Sequence, residues 1–222
     1  MEKAARSCLV FLNGKYDLSN MRYYLDEIRN AGTEARVIAV DGGLRIFDHL
    51  RLVPDLIVGD LDSVENEILS RFADVPRRQF DRDKDLTDGE LAVRIVLEED
   101  AGAVSLYGWE AKEGEVDHMF GNALLLFLGT NLTLRSPGIE VRAAADSGVF
   151  FSGVVGDRLS VVPLSCQIEV KYRGCRFPLI EGEVVTSAFG ETRTLRNEFM
   201  KTQVEVQIKG KALVIHQAFQ RP

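Results

Sequence analysis

The sequence predicts two domains of different class: an α/β unit built on a parallel sheet over residues 1–132, then an all-β sandwich over residues 133–222. Two patterns predict this division. In the first part, short and continuously apolar runs, Val37–Val40 and Leu56–Val58, alternate with helical periodicity, the habit of strands buried on both faces. From Asn131 onward the runs become short and alternating, separated by Gly, Pro and Asp, which is the spacing of an antiparallel sandwich. The 222 residues are 45% hydrophobic, enough to bury a core in one large or two small domains.

Taken in order, Cys8–Leu12 is a first strand ending at Asn13-Gly14, which reads as a phosphate-side loop or as a plain turn. Met21, Tyr24, Leu25 and Ile28 form the apolar face of a helix that stops at Gly32. Val37–Val40 leads into Asp41-Gly42-Gly43, and Leu56–Val58 leads into Gly59-Asp60-Leu61-Asp62-Ser63. Leu44, Phe47 and Leu50 lie between them at helical spacing, giving strand–helix–strand, and a further helix runs to about Phe72. Thr87 and Glu90 form a capping box opening a helix in which Leu91, Ile95 and Glu98 share a face. Ala103–Tyr107 is another buried strand, followed by Gly108-Trp109, a charged loop, and a helix over His118–Leu128 with Leu124, Leu125, Phe127 and Leu128 buried. Trp109 reads either as a stacking platform or as packing. The first domain is thus Rossmann-like. In the second, Asn131–Arg135, Val141–Ala145, Val149–Ser152, Asp157–Leu164, Gln167–Tyr172, Val184–Ser187, Gln203–Ile208 and Lys211–Gln217 read as strands, with a hairpin at Gly210.

In open parallel sheets the ligand lies beyond the carboxyl ends of the strands, where Asp41, Asp60 and Asp62 fall. If strand geometry persists, Asp60 and Asp62 point to the same side. Three carboxylates in one crevice repel each other unless a cation joins them. Oxygen ligands without histidine or cysteine favour magnesium, which shares its shell with substrate phosphates. Gly42, Gly43 and Gly59 let the backbone approach a bulky anion. The plainer reading makes Asp-Gly-Gly a turn and Asp62 an N-cap completed by Glu65. Both pieces after consecutive strands favour the metal–phosphate site. Asp83, Asp85 and Asp88 crowd the start of the next helix, where acids suit the macrodipole; Lys84 among them fits phosphate better than capping. Asp117-His118 again follows a strand and opens a helix. His49 and His216 have no such setting.

The composition excludes some classes. A net charge of −7 argues against nucleic-acid partners, which are held by Lys and Arg on phosphate. The apolar run near the N-terminus is too short for a signal peptide, and no stretch has the length of a membrane span. Three cysteines without metal-ligand spacing suggest a reduced, cytoplasmic protein.

Together, DGG, PDLIVGDLDS, DKDLTDGE and DH with Asn122 four residues on resemble the motif set of the thiamine pyrophosphokinase (thiamine diphosphokinase) family. The resemblance covers essentially the whole chain, and PDLIVGDLDS at that distance from DGG is its most specific piece. It implies transfer of an intact diphosphate from ATP to the hydroxyl of thiamine, releasing AMP, with Mg2+. It also implies a homodimer with active sites at the subunit interface. On this chain, Asp41, Asp60, Asp62 and Asp88 match the family's acids around magnesium and substrate. Lys84 and Thr87 match positions lining the same site. Asp60, Asp62, Asp88 and Lys84 are the expected catalytic residues. Gly42, Gly43, Ser63, Asp117, His118, Asn122 and Asn197 fall in the matching motifs as ligand-binding positions. Two positions depart from the pattern: Glu115 stands where the family has arginine, and Arg196 where it has serine before Asn197. A diphosphokinase acting on another alcohol, or a non-catalytic nucleotide or thiamine diphosphate binder, are the alternatives.

Overall fold

The computed structural model describes residues 6–99, 101–112 and 114–218. The chain divides into two compact units, 1–137 and 138–222. The first contains strands β1 (Cys8–Phe11), β2 (Arg36–Val40), β3 (Leu56–Gly59), β4 (Arg77–Gln79), β5 (Val104–Tyr107) and β6 (Leu132–Ser136). Its helices are α1 (Met21–Asn30), α2 (Leu44–Leu50), α3 (Asn66–Arg71), α4 (Asp88–Glu98) and α5 (Val116–Leu124).

The strands of this unit pair side by side in the order β6-β5-β1-β2-β3-β4, every pair parallel. Alternate residues explain the continuous apolar runs. Leu9, Phe11, Ala39 and Ile57 face a core shared with Tyr24 of α1 and Leu44 and Phe47 of α2. Their neighbours Val10, Ile38 and Val58 are equally buried, and α4 packs against the same three strands with Ala92, Val93 and Val96. Both faces are therefore covered, as a parallel sheet requires.

Four details differ from the sequence reading. The strand read at Asn131–Arg135 is β6, and it pairs parallel with β5, so it lies with the first unit and not in the sandwich. Its alternation of buried and half-buried residues resembles an antiparallel strand because it has a partly open face. Strand β4, Arg-Arg-Gln, is exposed along its length and carries no apolar signal. In α5 and the turn after it, Leu125 and Leu126 are buried, whereas Leu124 and Leu128 are exposed. A 3-10 turn at Leu125–Phe127 rotates the apolar side chains away from the phase that a continuous helix would give. Glu98 is not on the buried face of α4, which is carried by Ala92, Val93, Ile95 and Val96.

The second unit contains β7 (Ile139–Ala145), β8 (Gly148–Ser152), β9 (Arg158–Pro163), β10 (Gln167–Arg173), β11 (Val184–Ala188), β12 (Asn197–Glu198), β13 (Gln203–Lys209) and β14 (Lys211–Gln217). They form two antiparallel layers, β12-β9-β14-β7 and β11-β10-β13-β8. Val161, Ala212 and Val214 from one and Val170, Val204 and Val206 from the other fill the shared core. The expected hairpin at Gly210 is absent: β13 and β14 belong to different layers. Gly210 is the corner between them, at φ +95°, a conformation suited to glycine. The period-2 pattern survives the corner because both strands face the same interior. Among the described residues no helix is long and apolar enough to cross a membrane.

Candidate active site

The ends of β1, β2 and β3 bring the first unit's acids together. Asp41 follows β2 in a tight 3-10 turn, at φ +46°, and is buried. The turn needs its glycines. A Cβ on Gly43 would overlap the Phe11 carbonyl, and one on Gly42 would overlap the Asn13 carboxamide oxygen. Gly59, at φ +140°, lies so close under Asp41 that a Cβ there would sit 3.1 Å from that residue's own Cβ. These glycines therefore serve the approach of three strand ends to one another. Gly42 and Gly43 are not among the residues that border the cavity described below.

Strand geometry does not persist past Gly59, because Leu61 turns at φ +65° and is buried. Asp60 and Asp62 are brought together instead by a local turn in which the Asp62 amide donates to Asp60 Oδ1 at 3.2 Å. The outcome is convergence: carboxylate oxygens of Asp41, Asp60 and Asp62 all lie within 4.8 Å of one another. Asp62 is not a helix N-cap, since α3 begins later, behind Glu65. Asn13 Nδ2 donates to Asp41 Oδ2 at 2.7 Å and to Ser63 Oγ at 3.2 Å, and Ser63 Oγ donates to Asp62 Oδ1 at 3.3 Å. The other Asp41 oxygen, Oδ1, is buried and, among the described residues, has no hydrogen-bond partner. A buried, orphaned carboxylate oxygen among two further carboxylates is a poor arrangement by itself and a good one around a hard cation. The donor set thus fits magnesium.

Opposite the trio stands the start of α4. Thr87 caps it, its Oγ1 accepting from the Glu90 amide at 3.2 Å. Asp88 does not join the trio; it is held by Lys84 Nζ at 3.1 Å, and the same ammonium lies 3.6 Å from Asp60 Oδ2. Burial pulls the Asp88 carboxyl above the usual carboxylate range, with Asp60 and Asp41 pushing the same way against Lys84. Burial also opposes ionisation of Asp60, but the Asp62 amide and Lys84 outweigh it and hold Asp60 below that range. For Lys84, burial is outweighed by Asp88 and Asp60, which hold the ammonium above its ordinary value.

These groups line one cavity of about 570 Å³, together with His118 and Asn122 of α5. Asn122 also donates to the Trp109 carbonyl at 3.2 Å. Asp117 is exposed and does not line the cavity. Asn197 lies in the second unit, buried, with its amide holding the chain at Phe177: Oδ1 accepts from Phe177 N at 3.0 Å and Nδ2 donates to Phe177 O at 2.7 Å. Arg196 lines a separate cavity of about 580 Å³ in that unit, beside Arg193 and Leu195. Glu115 does face the acid-lined cavity, while Glu113 of the same loop lies outside the described residues. Lys112, Glu110 and Arg82, which no motif in the sequence marks, also line the cavity. For Glu110 and Lys112 the only signal is a charged loop after a strand, and Arg82 stands at the edge of the acidic run Asp83–Asp88.

Residues 30–135 match the family model described as thiamin pyrophosphokinase, catalytic domain. Thiamine pyrophosphokinase 3 of Oryza sativa subsp. japonica is 30% identical over 118 residues, which are 44% of this chain and 44% of that protein. The match thus spans less than half the length of this curated relative. Thiamine pyrophosphokinase from Bacillus subtilis has a similar structure, with a TM-score of 0.80 and 19% identity over 97% of this chain and 100% of that one. The yeast thiamin pyrophosphokinase structure gives a TM-score of 0.72 at 15% identity, covering 98% and 88%. The two structures share the fold, a mixed α/β unit and a β-sandwich. The family model and the rice relative bear the family name that the sequence motifs resemble, and the two solved structures share the fold.

Proposed function

We propose that this chain, whose residues 30–135 carry the thiamin pyrophosphokinase catalytic-domain match, transfers the terminal diphosphate of ATP to the hydroxyl of thiamine, giving thiamine diphosphate and AMP. The observation that carries the reading is the convergence of Asp41, Asp60 and Asp62 with one buried oxygen unpaired, inside the matched stretch. These three residues would hold magnesium, which when bound neutralises charge on the bridging and leaving phosphate oxygens. The all-parallel pairing of β1 to β6, with the acids beyond the carboxyl ends of the strands, supports a Rossmann-like description of the unit.

The chain's own residues supply positioning and proton transfer. In the reaction the thiamine hydroxyl oxygen bonds to the β-phosphorus and the bond from that phosphorus to the α,β-bridging oxygen breaks, so AMP leaves. Asp88 takes the hydroxyl proton; its raised basicity suits a general base. Lys84, bridging Asp60 and Asp88, fixes the base relative to the trio. Ser63, Thr87, His118 and Asn122 border the same space and are assigned to nucleotide and acceptor contacts. A homodimer and a cytoplasmic setting complete the proposal, the latter supported by three free cysteines.

A second reading, transfer to a different alcohol, is favoured by one observation: Arg196, in place of the family's serine, lines a cavity beside Arg193. Two cations there would repel a thiazolium. The test of both readings is AMP release from ATP and magnesium, with and without thiamine, followed by phosphorus NMR. Thiamine-dependent AMP and thiamine diphosphate are expected. AMP formed only with other alcohols would transfer the proposal to the second reading, and bound ATP with no AMP under any condition would reduce the protein to a binder.

A further inference from the structure

We propose that Lys112 is a substrate-binding residue of the acid-lined cavity, its ammonium positioned by Asn13 to contact the polyphosphate of the nucleotide. This rests on the diphosphotransfer reading of that cavity and adds a residue that the family motifs do not mark. The argument starts from charge. Carboxylates outnumber cations along the cavity wall, so each available cation matters to an incoming polyanion. Lys84 already serves two carboxylates, and Arg82, largely exposed, lies 3.4 Å from Asp62. Lys112 differs from both. Its Nζ donates to Asn13 Oδ1, a neutral oxygen, and among the described residues no carboxylate pairs with it.

The Asn13 carboxamide fixes this geometry. Asp41 can only accept, so Asn13 must turn its NH2 toward Asp41 and Ser63, which leaves its oxygen facing Lys112. Gly42 leaves the space that oxygen occupies. One short bridge, Asp41–Asn13–Lys112, therefore sets a cation beside the carboxylate trio. Burial pulls the Lys112 ammonium below its ordinary value; Glu115, Asp41 and Glu65 favour its charge from a distance, and Arg45 opposes it. An ammonium that is half-buried on a neutral partner gains most from an anion, and lysine meets phosphate as a compact point charge. The loop thus supplies a cation at Lys112 where the family's arginine position holds Glu115.

The test is calorimetric binding of magnesium tripolyphosphate, magnesium ATP and AMP to the full chain and to Lys112→Gln and Lys112→Arg. Lys112→Gln should weaken tripolyphosphate and ATP by about tenfold or more, the loss of one charged hydrogen bond. AMP should change by less than about twofold, and Lys112→Arg should restore most of the affinity. Equal affinities in Lys112→Gln and the parent, or an equal loss for AMP, would overturn the assignment while leaving the diphosphotransfer reading intact. A parent chain that binds neither tripolyphosphate nor ATP would overturn both. Independently of any variant, bound magnesium tripolyphosphate should slow reductive methylation of Lys112 several-fold, read by mass spectrometry, and AMP should not. An unchanged methylation rate also counts against it.

Discussion

Asp41 in the first unit and Asp157 in the second are both nearly inaccessible aspartates, 5% and 4% exposed, yet they are built in opposite ways. Asp157 Oδ2 accepts from the Val154 amide at 2.9 Å and lies 2.8 Å from His216 Nε2, whose ring stacks on Phe199. It ties a loop to the last strand. Asp41 has one oxygen on Asn13 and, among the described residues, no partner on the other; it sits at a left-handed φ that only a few residue types tolerate and faces two more carboxylates. The same buried carboxylate holds the fold together where protein groups occupy it and stays open to a ligand where an oxygen is left over. Burial alone does not separate them; the count of partners does.

The comparison is broken most directly at Asp62. Asp62→Ala should lower diphosphate transfer by roughly a thousandfold or more, the several kcal/mol a bound metal supplies. Thermal unfolding should barely change, because Asp62 is substantially exposed. Parent-like turnover in this variant would remove Asp62 from the site. In the second unit the effect should be the reverse in kind. Asp157→Ala strands the Val154 amide and His216, so urea unfolding should lose roughly 2–5 kcal/mol. A loss below 1 kcal/mol would show the pair to be incidental.

Magnesium sharpens the same contrast. At about a hundred times its dissociation constant it should stabilise the parent by about 2.7 kcal/mol, reversed by EDTA. Asp41→Asn should abolish that gain while leaving metal-free stability unchanged or slightly higher, since asparagine tolerates the left-handed backbone and removes a buried charge. A magnesium-induced shift of the parent's size in Asp41→Asn would contradict the cation site.

The smallest effect concerns pH. The folded Asp88 carboxyl is raised, so folding binds a proton there. Its contribution to stability is fully present below the unfolded carboxylate value of about 3.9 and is lost as pH rises through the raised folded value. In EDTA, Asp88→Asn should therefore gain stability relative to the parent as pH rises from about 4, then hold a constant margin near neutrality. A margin that stays flat across the series would show Asp88 to be no more basic than an ordinary aspartate.

Local chemistry in the sequence determined a good deal. The β-branched runs before Asp41 and Asp60 dictated buried strands, and Thr87 with Glu90 marked a helix start whose cap is present. The acids after consecutive strands dictated where charge collects, and period-2 runs dictated the sandwich strands. Only tertiary structure decided which elements are partners. β13 and β14 are adjacent in sequence yet lie in different layers, and β6 alternates like a sandwich strand yet pairs parallel with β5. The same holds within the site. Asn13 reaches Asp41 and Ser63 across 28 and 50 residues, and Lys112 reaches Asn13 across 99. Asn197, a plausible ligand by motif, has its amide oxygen and one amide hydrogen taken up by Phe177. Periodicity and capping act over a few residues, so they are written in the local sequence. Which donor meets which acceptor depends on chain ends brought together by the sheet, and that is settled only when the whole core packs.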